Sequence, residues 1–341
     1  MPSLLEGAEH AQPTSRKPLT LLVGLSGPSS SGKTTLARLL RTLFSLPAAE
    51  SGYVSLSLFI LHQDDFYHTD ALIPLITTPS NAASGLGARE LQDWDCVESL
   101  DLDLTSRTLQ FVKNEGRLPV RSTNESEGDG EDWGESKEDQ NSVGPVDLPE
   151  GLLDDLRKDL EHWWAGLSIF SPAPQPPTRT KEPTDFRLCI LDGFLLYPDP
   201  ASPNPDLQRL QNGVTGHLTL KLMLLASRDQ TITRRTRRTG YVTLEGFWED
   251  PPGYVEDVVW PNYVKDAAWL MRGDGDCSAE SKASAESKEP SMVDVDERVA
   301  ERAGIKVAPG KGQVGLGALL KWTVGELRGA VEATLTVGGK A

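Results

Sequence analysis

Cysteine is scarce in this chain, with Cys96, Cys189 and Cys277 its only three in 341 residues. An odd number, far apart and with no CxxC pair, excludes a disulfide framework and a cysteine zinc site and fits a reducing compartment. Positive charge is also short, with 34 Lys and Arg against 50 Asp and Glu and a net charge of −16. Broad binding to nucleic acid or an anionic membrane needs a basic face that displaces counterions, so neither partner is expected. No apolar run approaches the roughly 18 residues that suggest a membrane span, and the N-terminus has no basic-then-apolar signal pattern. The five histidines show no metal-ligand spacing, and no Ser/His/Asp arrangement can be argued. The expectation is a soluble intracellular protein, cytoplasmic with the nucleus as the alternative, and a monomer unless an oligomer is demonstrated.

Five apolar runs are present, at residues 19 to 25, 53 to 62, 187 to 191, 218 to 225 and 304 to 308, and each reads as a buried strand. Helical patterns separate several of them, as in Leu153, Leu156, Leu160, Trp163, Trp164 and Leu167, or Leu316, Leu320, Val324, Leu327 and Val331. Alternation of this kind predicts an α/β fold with a parallel sheet covered on both faces, its ligands at the carboxyl ends of the strands. Residues 1–18 read as a mobile tail before a single domain over 19–341. Acidic stretches near 121–147 and 273–300 hold too little apolar surface to offset ordering entropy and read as disordered insertions. The Pro-rich stretch Ser171 to Pro183 reads as an extended connector.

The first strand runs into Gly27-Pro28-Ser29-Ser30-Ser31-Gly32-Lys33-Thr34, with a helical pattern from Thr35. This is a phosphate-binding loop in its required context: backbone N–H groups of Gly27, Ser29 to Gly32 and Thr35 converge on phosphate oxygens. Lys33 reaches the β/γ-phosphates, and the Thr34 hydroxyl suits Mg²⁺. A Gly/Ser turn followed by a surface lysine would not need Leu36, Leu39, Leu40, Leu43 and Phe44 at helical spacing behind it.

Gln63-Asp64-Asp65-Phe66-Tyr67 follows the second strand, so its carboxylates emerge at the same sheet edge. Phosphoryl transfer needs a carboxylate that orients or deprotonates the nucleophile, and Asp64 takes that role; the plain alternative is a polar turn. The third strand ends in Asp192, a position that holds Mg²⁺ beside the loop threonine in triphosphate enzymes. Ser227 to Gln230 has the spacing of a capping box, placing Arg234, Arg235, Arg237 and Arg238 on a helix leading into a loop. One or two of these arginines are expected to reach the triphosphate. Thr239-Gly240-Tyr241 and the segment Phe247 to Tyr254 suit a closing lid, or a surface loop with core aromatics. Trp94-Asp95 pairs an aromatic plane with a carboxylate, suited to a flat base and sugar hydroxyls, although Trp is as often a core residue.

In this order, GPSSSGKTTLARLL, HQDDFY, DWDCVESLD, ILDGFLLY, RRTRRTGYVTLEGFWEDPPGY and VWPNYVK resemble the nicotinamide riboside kinases, especially their fungal forms, over most of residues 19 to 272. The resemblance implies a P-loop nucleoside triphosphate hydrolase fold with a five-stranded parallel sheet flanked by helices and a lid. It implies transfer of the γ-phosphate of ATP, with GTP as the alternative donor, to the ribose 5′-hydroxyl of nicotinamide riboside or nicotinic acid riboside, assisted by Mg²⁺. It also implies that Asp64 is the base and that Lys33, Thr34 and Asp192 serve the triphosphate and metal. Trp94 and Tyr241 would sandwich the nicotinamide ring, with Tyr67 among the substrate-binding residues. Asp95 would bind the ribose hydroxyls together with Arg235 or Arg238, which compete for triphosphate and riboside roles. Relatives can have Tyr where this chain has Trp94 and Glu where it has Asp192. A uridine-kinase-like or pantothenate-kinase-like enzyme would share the loop but not need Trp94-Asp95 with Tyr241. A nucleotide-dependent switch would leave Asp64 without work, and the chain has no Asn-Lys-x-Asp guanine-reading motif.

Overall fold

The computed structural model describes residues 17–47, 55–79, 83–119, 143–167, 185–237, 241–242, 247–271 and 292–338. In chain order these form β1 (Leu19–Ser26), α1 (Lys33–Leu43), β2 (Leu56–His62), β3 (Leu75–Thr78), β4 (Arg89–Gln92), α2 (Leu102–Glu115), α3 (Leu152–Gly166) and β5 (Phe186–Gly193). Then come α4 (Pro205–Gly213), β6 (Leu220–Met223), α5 (Arg228–Arg235), β7 (Tyr241–Val242), β8 (Phe247–Trp248), α6 (Trp260–Ala267), α7 (Glu297–Arg302), β9 (Ile305–Val307) and α8 (Leu316–Gly338).

The five apolar runs are the five strands of one sheet, ordered β2-β5-β1-β6-β9 and parallel throughout. Successive side chains of a strand face opposite ways, so each run must bury two faces. Leu21, Val23 and Leu25 of β1 meet Leu36 and Leu40 of α1, Trp163 and Trp164 of α3, and Leu320 and Leu327 of α8. Leu22 points the other way, into a core with Leu109 and Val112 of α2 and Leu210 of α4. Each such side chain contributes about 1.5–3 kcal/mol of burial, which is why runs of this composition leave water.

Register decides where the chemistry can sit. Leu25 pairs with Asp192, and His62 pairs with the same Asp192 from the other side. The ends of β1, β2 and β5 therefore share one edge, and the segments leaving them surround one cleft. Two antiparallel pairs, β3 with β4 and β7 with β8, lie outside this sheet.

The fold reaches into both expected insertions. Val143 packs on the α1 side of the sheet, while Met292 is buried, as is Ala300 on α7. A few apolar residues in an otherwise acidic stretch supply that packing. Residues 1–16, 120–142, 168–184 and 272–291 lie outside the described residues, and with them most of the tail, the insertions and the Pro-rich connector. No helix among the described residues is long and apolar enough to cross a membrane.

Candidate functional site

The phosphate-binding loop is shaped by backbone conformations that ordinary side chains avoid. Gly27 has a φ of 150°, and a Cβ there would stand 2.5 Å from the Leu224 carbonyl oxygen, so the loop can lie this close to β6 only with glycine. Ser30 is left-handed at a φ of 61°, a strain of about 1–3 kcal/mol that surrounding structure must hold in place. The Ser30 and Ser31 hydroxyls are buried with no hydrogen-bond partner among the described residues. Orphaned donors beneath a loop at a helix N-terminus suit an anionic ligand. Lys33 Nζ is buried and donates to the Gly27 and Pro28 carbonyls, each at 3.0 Å, so its charge lies directly under the loop.

Thr34 Oγ1 donates to Asp192 Oδ2 at 2.5 Å, which brings the two expected metal-site residues together. Both offer hard oxygen donors. Mg²⁺ keeps several waters and phosphate oxygens and is held by one or two protein groups, so this pair fits the ion without a larger protein cage. His62 Nδ1 lies 3.2 Å from the same Asp192 oxygen. Burial would raise the Asp192 carboxyl, but the His62 hydrogen bond, the Lys33 and His62 charges and the Thr34 hydroxyl hold it below the usual carboxylate value. Burial would likewise lower His62, yet its bond to Asp192 and the charges of Asp192, Asp65 and Asp64 push it up to about 9.

Asp64 lies in a single 3₁₀ turn, Gln63–Phe66, immediately after β2. The turn is pinned by a reciprocal pair: Gln63 Nε2 donates to the Leu195 carbonyl at 2.7 Å, and the Leu195 N–H donates to Gln63 Oε1 at 3.1 Å. Leu195 follows Asp192 by three residues, so this clasp fixes Asp64 relative to the Asp192 carboxylate. Asp64 is exposed at the cleft yet closely surrounded by protein. Displacement of water, then the Asp192 charge, raises its carboxyl above 3.8, against the opposing pull of His62 and Lys33, and contact with solvent screens part of that shift.

The remaining candidates converge on Arg235, which is 7% exposed. The capping box is present, with Ser227 Oγ accepting from the Gln230 N–H and Gln230 returning the bond, so α5 begins as expected and delivers Arg235 at its end. Arg235 donates to both Asp95 oxygens at 3.0 and 3.3 Å, to both Asp250 oxygens at 2.7 and 3.1 Å, and to Ser29 Oγ at 3.0 Å. One guanidinium thus joins the phosphate loop, the Asp95 carboxylate and the segment after β8. Arg234 Nη1 instead approaches the Ser30 carbonyl at 3.4 Å, at the rim of a cavity of about 360 Å³ lined by Gly32, Thr35, Leu225, Pro309 and Val314. Arg237 is exposed, and Arg238 lies outside the described residues.

Trp94 is 5% exposed, packed with Ile73, Tyr254 and Val258. Tyr67 meets it edge-on at 5.2 Å and stacks on Phe194 at 6.3 Å. The backbone of Tyr241 is in β7, opposite Trp248, but its side chain lies outside the description. The expected lid is built into the wall at its C-terminal end. Tyr254 is fully buried, with its hydroxyl accepting from the Trp94 N–H at 3.0 Å and its ring 5.7 Å from the Arg235 guanidinium. Gly253, at a φ of 74°, passes so close to Ser84 that a Cβ would stand 2.4 Å from it, which ties this segment to the β3–β4 unit.

The chain is 34% identical over 247 residues to the nicotinamide riboside kinase of Schizosaccharomyces pombe, covering 72% of this chain and 78% of the relative. It belongs to the nicotinamide riboside kinase family. The nicotinamide riboside kinases of Saccharomyces cerevisiae and Eremothecium gossypii are 26% and 27% identical, over 76% and 77% of this chain and 81% of each relative. A scan against protein-family models finds no match.

For a nicotinamide riboside kinase, then, the structure brings Lys33, Thr34, Asp64 and Asp192 to one sheet edge and Asp95 and Arg235 into one ion pair. Three residues of this kinase's cleft escaped sequence reasoning. His62 and Phe194 stand one residue outside the acidic motifs, and their position at the end of β2 and immediately after β5 was the available signal. Asp250 carried no signal, because its partner Arg235 becomes its neighbour only in the fold.

Proposed function

We propose that this kinase transfers the γ-phosphate of ATP to the 5′-hydroxyl of nicotinamide riboside, forming the mononucleotide and ADP, with nicotinic acid riboside as a second acceptor. The observation that carries the reading is the placement of Asp64 at the same strand edge as the phosphate loop and Asp192, in a chain of this family. Asp64 takes the 5′-hydroxyl proton as that oxygen bonds to the γ-phosphorus, while the bond from phosphorus to the β-phosphate bridging oxygen breaks. The resulting negative charge is met by Lys33 and by backbone N–H groups of the loop. Thr34 and Asp192 would hold Mg²⁺, which would supply charge neutralisation on the phosphates. The cavity beside Arg234 receives the donor's base and sugar, a role supported by its position against the loop and its mixed apolar and backbone lining.

On the acceptor side, Asp95 binds the ribose hydroxyls. Arg235 occupies two of the carboxylate's roughly four lone-pair sites, which leaves capacity for two hydroxyl donors. The aromatic cluster of Trp94, Tyr67 and Phe194 receives the pyridine ring, and the family resemblance makes Tyr241 a further stacking residue. Small-molecule substrates, a monomer and a cytoplasmic setting complete the proposal, in keeping with the net charge of −16.

The test is an assay of the purified protein with nicotinamide riboside, nicotinic acid riboside, uridine, pantothenate and no acceptor, read by mass spectrometry. Acceptor-dependent formation of the pyridine mononucleotides is expected. Preferred phosphorylation of uridine or pantothenate would replace the acceptor assignment, and ATP hydrolysis indifferent to every acceptor would point to a nucleotide switch.

A further inference from the structure

The sequence VWPNYVK holds a polar residue that the reaction itself does not use. Asn262 lies on α6 and is 7% exposed. Asparagine is a weak helix former, and a buried amide costs free energy unless it is bonded. Its orientation is fixed by two opposite neighbours. Nδ2 donates to both oxygens of Asp93, at 2.8 and 2.9 Å, and Oδ1 accepts from Lys265 Nζ at 3.4 Å. With a carboxylate on one side and an ammonium on the other, the amide has only one satisfied orientation.

Asp93 is itself buried and uses the same carboxylate to accept from the Asp95 N–H at 3.1 Å, an Asx turn that sets the direction in which the Asp95 side chain leaves the backbone. The neighbouring N–H groups are engaged as well, Asp93 with the Pro74 carbonyl at 2.7 Å and Trp94 with the Tyr254 hydroxyl at 3.0 Å. Of these three bonds, only the one to Asp95 depends on a side chain whose rotamer is set from α6.

We infer that Asn262 is a positioning residue for riboside recognition, acting through Asp93 to hold Asp95 in place. The inference rests on the proposed role of Asp95 as the ribose-binding carboxylate. Arg235 secures the carboxylate end of Asp95 and the Asn262–Asp93 pair secures its backbone end, so the group is preorganised before the riboside arrives. Loss of the pair releases the backbone end alone. Riboside binding then weakens, while the phosphate loop, which neither residue touches, keeps its affinity for nucleotide.

The experiment measures, on the full chain, dissociation constants for nicotinamide riboside and ATP, the KM and kcat of transfer, and the melting temperature. Asn262→Asp sets two buried carboxylates against each other. Its riboside Kd and KM should rise by about tenfold or more, with kcat within about threefold and ATP affinity within about twofold. The exchange Asp93→Asn with Asn262→Asp restores one amide and one carboxylate, and should return riboside affinity to within about threefold of wild type. Should Asn262→Asp not fold, Asn262→Ala carries the same expectation, since it removes the donor without adding charge. Parallel loss of riboside and ATP affinity with no rescue by the exchange would overturn the positioning role in favour of a packing role. Asp95→Asn is the reference. Weakened riboside binding there, with wild-type binding in both Asn262 variants, overturns the inference alone, whereas wild-type binding in Asp95→Asn overturns the acceptor site and the inference with it.

Discussion

The proposed triphosphate side of the cleft is made largely by consecutive residues, Gly27 to Thr34, while the proposed acceptor side draws Asp64, Asp95, Arg235, Asp250 and Tyr254 from separate segments. On the first side the proposed binding groups are mainly backbone N–H donors, in a loop shaped by positive φ values at Gly27, Ser30 and Gly32. On the second they are side chains held by other side chains, with Arg235 paired to two carboxylates at once. A site made of backbone tolerates changes in its surroundings as long as the loop keeps its shape. A site made of networked side chains couples every member to its neighbours, so its single substitutions are expected to be non-additive. Electrostatics follows the same division. The Asp192 carboxyl is held below its usual value by cationic and hydroxyl neighbours, whereas Asp266, on the acceptor-side helix α6, is pushed up to about 6 by burial ahead of the opposing pull of Lys265.

The largest effect expected from breaking this contrast is at the loop. Lys33→Ala removes the charge placed where phosphoryl transfer develops negative charge and should lower kcat/KM by about 10³-fold or more, on the order of 4 kcal/mol. A steady-state assay that finds activity within tenfold of wild type would move the working site elsewhere.

Asp64→Asn comes next. It keeps size but removes the proton acceptor, so single-turnover rates should fall by about 10² to 10⁴ with riboside Kd changed little. If the single-turnover rate holds and the Kd rises instead, Asp64 belongs with the recognition carboxylates. Trp94→Ala should act mainly on binding, with a penalty on the order of 1–3 kcal/mol in riboside Kd by calorimetry, if ring stacking here resembles base stacking. Trp94→Tyr, which keeps an aromatic plane, should stay within about threefold. Equal losses in the two variants would count against a stacking role.

The smallest effect sharpens the electrostatic half of the comparison. With its folded carboxyl at about 6 and an unfolded value of 3.8, Asp266 keeps a proton in the native state that the unfolded chain has already lost. Stability therefore falls as pH rises from about 4 through 6, and the deficit persists above that window. Asp266→Asn should remove it, raising stability by on the order of 1–2 kcal/mol at pH 8 and by much less near pH 4.5, read from urea midpoints. A gain equal at both pH values would mean that charge is not the cause.

Read from residues alone, the five strands, the phosphate loop and the α5 capping box were legible because each rests on a short-range cause. A run such as Leu21 to Leu25 must leave water on both faces, a loop with glycine at positions 27 and 32 takes backbone angles that few other residues allow, and Ser227 with Gln230 closes a cap within one turn. The positions of Asp64 and Asp192 were legible for a related reason, since a residue at or just past the end of a parallel strand emerges at the ligand edge whichever neighbours that strand acquires. The packed flanks of the acidic stretches were not, because composition averages over the few residues, Val143 and Met292 among them, that find a core.

What tertiary structure alone decided is which distant residues became neighbours. Strand order β2-β5-β1-β6-β9 set His62 beside Asp192, and the approach of α5 and α6 set Arg235 against Asp95 and Asn262 against Asp93. Those pairings depend on how whole elements pack, and the pattern within any one element is the same whichever partner it meets. The sequence by itself therefore determined the elements and the phosphate loop, whose geometry is local, while the proposed acceptor site came into being only when the packed sheet brought its separate segments together.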